Sequence, residues 1–206
     1  ILSVAAAVIF TVTATVTVYA ESAEKLCYLE NTDKSGIGVS AVSAILIEAD
    51  TGTVLFSKNE KEHRQIASTT KIMTALVALE NCPAERLVSV APAAVNVEGS
   101  SVYLYAGEKI TMENLLFALM LQSANDAAAA IAIEVAGSIE AFADMMNRRA
   151  GEMGLRDTHF ANPHGLDDSE HYTTAKELAI IAAEALKNPR FAEIVSTAKK
   201  SIPLHD

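Results

Sequence analysis

The sequence predicts an α+β domain, with strands first and a run of helices after them. Three observations carry this expectation. Two apolar-rich runs, SAILIEA and TVLFSKN, flank the turn residues Asp50-Thr51-Gly52 and read as a β-hairpin. From Ser68 onward apolar residues recur at helical spacing in segment after segment, each bounded by Ser, Thr, Asn, Gly or Pro. The 206 residues suffice for one main domain with a real core but not for two large ones.

Composition excludes several function classes. With 16 Lys plus Arg against 26 Asp plus Glu the formal charge is −10, so the cationic surface that attracts phosphate backbones is missing and a nucleic-acid partner is not expected. Half the residues are hydrophobic and only 9 are Gly and 5 Pro, which excludes a disordered, collagen-like or low-complexity chain. Two Cys make neither a disulfide scaffold nor a four-Cys zinc site.

The elements follow in order. Residues 1–20 carry no charged side chain, and Val18 and Ala20 sit at the −3 and −1 positions of a cleavage site before Glu21, so the segment reads as an export signal peptide. A retained anchor and a buried element are the alternatives; the first residue is Ile and no basic n-region is present, so the start is expected to be missing. Export would permit a Cys27–Cys82 bridge, but two unpaired small hydrophobes is the simpler reading. Residues 21–40 look like a solvated lead-in, and the domain proper is set at 41–206. After the hairpin, Ile72, Ala75, Leu76 and Leu79 mark a helix from about Ser68 to Leu79 that ends near Asn81 and Pro83. A polar loop through Gly99, Ser100 and Ser101 leads to Thr111, the expected N-cap of ENLLFALML. The next helix begins around Asn125 and Asp126 and stops at Gly137; Ser138 opens another, closed by Gly154. HFANPHGLDD reads as loop. Thr174 and Glu177 form a capping box for LAIIAAEAL, which stops before Asn188-Pro189, and the final STAKKSIPLHD is expected to lead into further strands of a domain cut short.

Two short motifs carry the chemistry. In Ser68-Thr69-Thr70-Lys71, Ser and Lys three apart at a helix start share a face, so the ammonium nitrogen can reach the hydroxyl. A serine becomes a nucleophile when a base takes its proton, and an amine kept neutral by burial can be that base. The helix N-terminus also favours a developing oxyanion. In Ser123-Ala124-Asn125, a Ser and an Asn in an interhelical turn could relay a proton and bind a substrate amide, although helix capping explains Asn125 as well. The order S-x-x-K then S-x-N is that of penicillin-binding proteins and class A β-lactamases.

ASTTKIMTALVALE, GSSVYLYAGEKITMENLLFALMLQSANDAA and MNRRAGEMGLRDTHFANPHGLDDSEHYTTAKELA together resemble the serine D-Ala-D-Ala carboxypeptidases, the low-molecular-mass penicillin-binding proteins, over about residues 41 to 198. The resemblance implies a penicillin-recognising fold, an antiparallel sheet beside a helical cluster. It implies Ser68 as acylated nucleophile, Lys71 as its proton acceptor, Ser123 as proton relay and Asn125 as ligand of the substrate's peptide carbonyl. The implied substrate is a peptidoglycan stem peptide ending in D-Ala-D-Ala, with β-lactams as covalent inhibitors and no metal or organic cofactor. The implied setting is extracytoplasmic and facing the cell wall, with membrane association through a C-terminal region not contained here. One departure stands out: the family's Lys-Thr-Gly motif cannot follow Gly165, the last glycine, so the fragment alone is expected to lack full activity.

Within that chemistry a DD-endopeptidase shares the motifs, while a class A β-lactamase needs an additional positioned Glu that cannot be assigned. A non-catalytic penicillin-binding or sensing module is the alternative of another class. His63, five positions before Ser68, invites a Ser/His/Asp triad that Lys71 makes unnecessary. His159, His164, His171, Asp167 and Asp168 cluster on a Pro/Gly loop without zinc-ligand spacing and read as structural. Glu113, Glu134 and Glu140 are expected to face solvent.

Overall fold

The computed structural model describes residues 38–202. The expectations for the signal segment, the lead-in up to residue 37 and Cys27 therefore lie outside the described residues; Cys82 is half-buried and makes no disulfide among them. The expected hairpin is present: β1 (Ala44–Ile47) pairs antiparallel with β2 (Val54–Lys58), Ala44 opposite Lys58, with an irregularity at Leu46/Ile47. Its turn is tied by Glu48, whose carboxylate accepts from Thr51 N at 2.6 Å while Gly52, at φ 71°, takes the left-handed position that favours glycine.

A 3₁₀ turn over Ala67–Thr70 runs into α1 (Lys71–Asn81). The expected helix thus divides, its first turn being the tighter one. The stretch read as a polar loop holds a second small sheet, β3 (Leu87–Ser89) antiparallel to β4 (Lys109–Thr111). Each strand has three residues, too few for an alternating pattern to register. Then come α2 (Met112–Leu121), α3 (Asn125–Ala136), α4 (Ile139–Glu152), α5 (Ala175–Leu186) and α6 (Pro189–Ser196). Thr111 and Ser138 cap α2 and α4 through their hydroxyls, and Gly137 ends α3 at φ 85°, as expected. Asn188-Pro189 stops α5 but also starts α6: Asn188 Oδ1 accepts from Arg190 N and Phe191 N, and Pro occupies the first turn, where its missing N–H costs nothing. The STAKKSIPLHD segment, expected to lead into strands, begins at the last residue of α6; residues 197–202 belong to no helix or strand, and the rest lies outside the described residues.

The α3 helix is the centre of the core. Asn125 through Ala132 are all buried, and its alanines let α1, α2 and α4 approach closely, as in a helix apolar on every side. The β1–β2 hairpin lies against α5 through a separate cluster of Ile45, Ala175 and Ala179. Of the acids expected to face solvent, Glu140 does, but Glu134 is half-buried and pairs with Arg86 at 2.7 Å, and Glu113 pairs with Arg190 of α6. Sequence spacing within one helix gives no sign of such partners, which come from other elements. The capping box is half made: Thr174 Oγ1 accepts from Glu177 N, yet the Glu177 carboxylate turns to Arg156 N, Asp157 N and Thr158 Oγ1 instead. Among the described residues no helix is long and apolar enough to cross a membrane.

Candidate active site

Ser68 is exposed on the 3₁₀ turn, and Lys71, the first residue of α1, is 2% exposed with its Nζ 3.2 Å from Ser68 Oγ. The residue before the serine, Ala67, has φ 45°, a left-handed conformation unusual for alanine, so the backbone is bent to present the hydroxyl. Besides Ser68, Lys71 Nζ donates to Asn125 Oδ1 at 2.8 Å and to the carbonyl oxygen of His164 at 2.6 Å. All three partners are neutral oxygens. Burial without a counter-ion penalises the ammonium, and desolvation lowers the Lys71 pKa to about 8. The neutral amine has two N–H donors and one lone pair. The two shorter bonds use the donors, and the lone pair then faces the Ser68 hydroxyl.

The second motif lies between α2 and α3. Asn125 does not cap α3: the N-cap is Ala124, which makes no side-chain cap bond. Its Oδ1 holds Lys71 instead, and its Nδ2 donates to Glu98 O at 2.6 Å. Gly99 stands beside that amide, where a Cβ would come within 2.7 Å of Asn125 Nδ2. Ser123 has φ 55°, and its Oγ is the buried side-chain oxygen without a hydrogen-bond partner among the described residues. A buried hydroxyl left without a partner is costly, so this one calls for a partner from outside the described side chains. The structure thus joins Ser68, Lys71 and Asn125 directly, with Ser123 two residues from Asn125.

The histidines play other parts. His63 Nε2 lies 3.0 Å from Asp157 Oδ1, and its ring stacks on Tyr172 at 4.6 Å; no Ser/His/Asp triad is formed with Ser68. His171 is buried between Thr70 Oγ1 at 2.7 Å and Ala161 N at 3.0 Å. His159 bonds Glu170 O. Among the described residues no group of three or more His, Cys, Asp or Glu side chains could hold a metal ion.

A serine with a buried lysine one turn on, joined to an asparagine after a second serine, is the arrangement expected from the resemblance. The family model of D-alanyl-D-alanine carboxypeptidase matches residues 30–205. The chain belongs to the D-alanyl-D-alanine carboxypeptidase family. It is 39% identical over 168 residues to D-alanyl-D-alanine carboxypeptidase DacF of Bacillus subtilis, covering 79% of this chain and 43% of that protein. Among solved structures it is similar to a mutant of the Streptomyces K15 DD-transpeptidase (35% identity, TM-score 0.74, 78% of this chain and 66% of that one). It is also similar to the D-alanyl-D-alanine carboxypeptidase of Mycobacterium tuberculosis (29% identity, TM-score 0.79, 85% and 68%). The chain thus spans less than half the length of DacF.

In this carboxypeptidase-family chain some groups at the site carry no sequence motif. The His164 carbonyl is a backbone acceptor that any residue could supply. Gly165 has φ 88°, and a Cβ there would fall 1.9 Å from Ala67 O, so only glycine lets the loop meet the turn that bears Ser68. The sequence signals it only as a Gly after Pro163-His164, which reads as a chain breaker. Asp126, beside Asn125, is 1% exposed and accepts from Ser101 Oγ, Val102 N, Leu104 N and Ala127 N.

Proposed function

We propose that this chain is the acylating part of a serine D-Ala-D-Ala carboxypeptidase that acts on peptidoglycan stem peptides. The observation that carries the reading is the buried Lys71 amine, without a carboxylate partner among the described residues, 3.2 Å from the exposed Ser68 hydroxyl. Ser68 Oγ attacks the carbonyl carbon of the penultimate D-Ala as its proton passes to Lys71. The tetrahedral intermediate collapses, the peptide C–N bond breaks, and the departing D-Ala amine takes a proton through Ser123, whose hydroxyl has no hydrogen-bond partner among the described residues. Asn125 Nδ2 uses one hydrogen on Glu98 O and has a second for the substrate's peptide carbonyl. Water hydrolyses the acyl ester and returns the proton to Ser68. β-Lactams enter by the same attack, but their leaving amine stays tethered. The uncharged run of residues 1–20 supports action outside the cytoplasm, facing the cell wall.

The similarity to a DD-transpeptidase favours a second reading, transfer of the acyl group to an amine. Mass analysis of products from a stem pentapeptide, with and without an amine acceptor, and from a crosslinked dimer separates the activities. Loss of one D-Ala supports the carboxypeptidase, a new amide the transpeptidase, and monomer release an endopeptidase. A stable adduct without product supports the binding module. Peptide mapping of a fluorescent penicillin should place the label on Ser68, and label retained on Ser68→Ala would overturn the site.

A further inference from the structure

Three neighbouring side chains at the start of α1 hold one loop. Thr70 Oγ1 lies 2.7 Å from His171 Nε2, Lys71 Nζ donates to His164 O at 2.6 Å, and Thr74 Oγ1 donates to Pro163 O at 2.6 Å. Thr70, Lys71 and Thr74 are all buried, as are His164 and His171. The His171 tautomer follows from its other nitrogen: Nδ1 faces Ala161 N–H at 3.0 Å and must accept, so Nε2 carries the proton and donates to Thr70. Phe160 meets the imidazole edge-on at 5.8 Å and fixes its plane. From Ala161 the restraint passes to Asn162, whose Oδ1 accepts from Gly165 N at 2.7 Å and whose Nδ2 donates to Leu166 O at 2.9 Å. The loop that carries the His164 carbonyl is therefore pinned at its far end by His171, within itself by Asn162, and at Gly165 by close contact with Ala67 O.

We infer that His171, acting through its Nε2–H bond to Thr70, is a positioning residue for the Ser68–Lys71 pair: it holds the 161–171 loop so that the His164 carbonyl takes one Lys71 N–H and keeps water off the amine. This rests on the proposed role of Lys71 as the base. His171 touches neither Ser68 nor Lys71 and takes no part in proton transfer. If the clamp opens, the amine loses an acceptor that orients its lone pair and gains water, which favours the ammonium. A purely structural histidine would change stability without changing how acylation depends on pH.

The test is β-lactam acylation of the full-length protein, measured per folded molecule from pH 6 to 10. His171→Gln can place an amide N–H where Nε2 was and keep the Thr70 bond; His171→Asn can replace only the acceptor for Ala161 N. Thr70→Val deletes the hydroxyl at nearly constant volume, and Thr70→Ser restores it. Acylation at pH 7 is expected to fall about 10-fold or more in His171→Asn and Thr70→Val, with the rising limb of the profile moved to higher pH. His171→Gln and Thr70→Ser should stay within about 3-fold of the parent on the parent's profile. Equal behaviour of the two amide variants, or a parental rate and profile in Thr70→Val, overturns the inference. A loss of folded protein shared by both amide variants, with unchanged acylation of what folds, overturns it too. A parent that is not acylated at Ser68 overturns the proposed function itself, a different and separately readable failure.

Discussion

A lysine that titrates near pH 8 instead of 10.5 is neutral in about one molecule in ten at pH 7 and in about nine in ten at pH 9. If that neutral fraction takes the Ser68 proton, the acylation rate constant for a penicillin should rise about 10-fold over this interval and then level off. Stopped-flow or quenched labelling across the range checks it, and a flat profile would point to another base. Lys71→Arg keeps the charge, but a guanidinium cannot shed a proton near neutrality, so acylation should be nearly abolished. A variant that acylates at close to the parental rate would leave the lysine a purely electrostatic role. Asn125 is the residue at which a capping explanation competed with a binding one, and its geometry removes the first. Both ends of the amide are used, on Lys71 and on Glu98 O, so Asn125→Ser loses two hydrogen bonds that the shorter side chain cannot span. The expected result is a fall in acylation of about 10-fold or more, together with about 1–2 kcal/mol of stability, read by urea unfolding of the same preparation.

The elements that hold these residues differ in how far the sequence announces them. The hairpin, the capped starts of α2 and α4 and the left-handed stop at Gly137 all follow from local chemistry, in which a few adjacent residues satisfy one another. The β3–β4 sheet does not, because Leu87–Ser89 finds its partner in Lys109–Thr111 some twenty residues away, and three residues are too short to show a period. Asn188-Pro189 is legible as a break but ambiguous in direction, since the same pair ends one helix and begins the next. At the site, Ser68, Lys71, Ser123 and Asn125 are legible as side chains in two motifs, whereas the His164 carbonyl is not, because a backbone oxygen has no residue type. Asp126 shows the same limit. As a first-turn acid it looks like an ordinary complement to the helix dipole, yet its carboxylate ties residues 101–104 to the start of α3. Each of its oxygens accepts two donors, so in Asp126→Asn the amide NH₂ opposes two backbone N–H groups in one orientation and Leu104 N–H in the other, where only the Ser101 hydroxyl can turn to accept. A loss of about 2–4 kcal/mol is expected by urea unfolding, with the 100–104 loop becoming the first site of proteolysis. A change under about 0.5 kcal/mol would show that water replaces these bonds readily.

For the molecule as a whole, the loop that carries His164 and His171 joins the α1 turn to the rest of the helical cluster, and burying it makes the fold sensitive to acid. Desolvation pushes both imidazoles down to about 4; Lys71 and His171 lower His164 further, while for His171 the acids Asp168 and Asp167 oppose the shift and His159 adds to it. An unfolded histidine titrates near 6.5, so below that value the unfolded chain binds protons that the native chain refuses. The stability each histidine contributes by staying neutral is complete above pH 6.5 and is lost as pH falls toward 4. Allowing for residual solvent contact, about 2 kcal/mol per histidine is at stake. Exposed carboxylates contribute a background slope, which a histidine variant leaves in place. His171→Gln retains the Thr70 bond but has no proton to bind, so its stability should fall less steeply between pH 6.5 and 4, by about the contribution of one imidazole. Urea unfolding followed by circular dichroism at pH 7, 5.5 and 4.5 gives both slopes directly. Parallel slopes for parent and variant would mean that His171 protonates without leaving its site, and the acid sensitivity would then rest on His164 and the carboxylates.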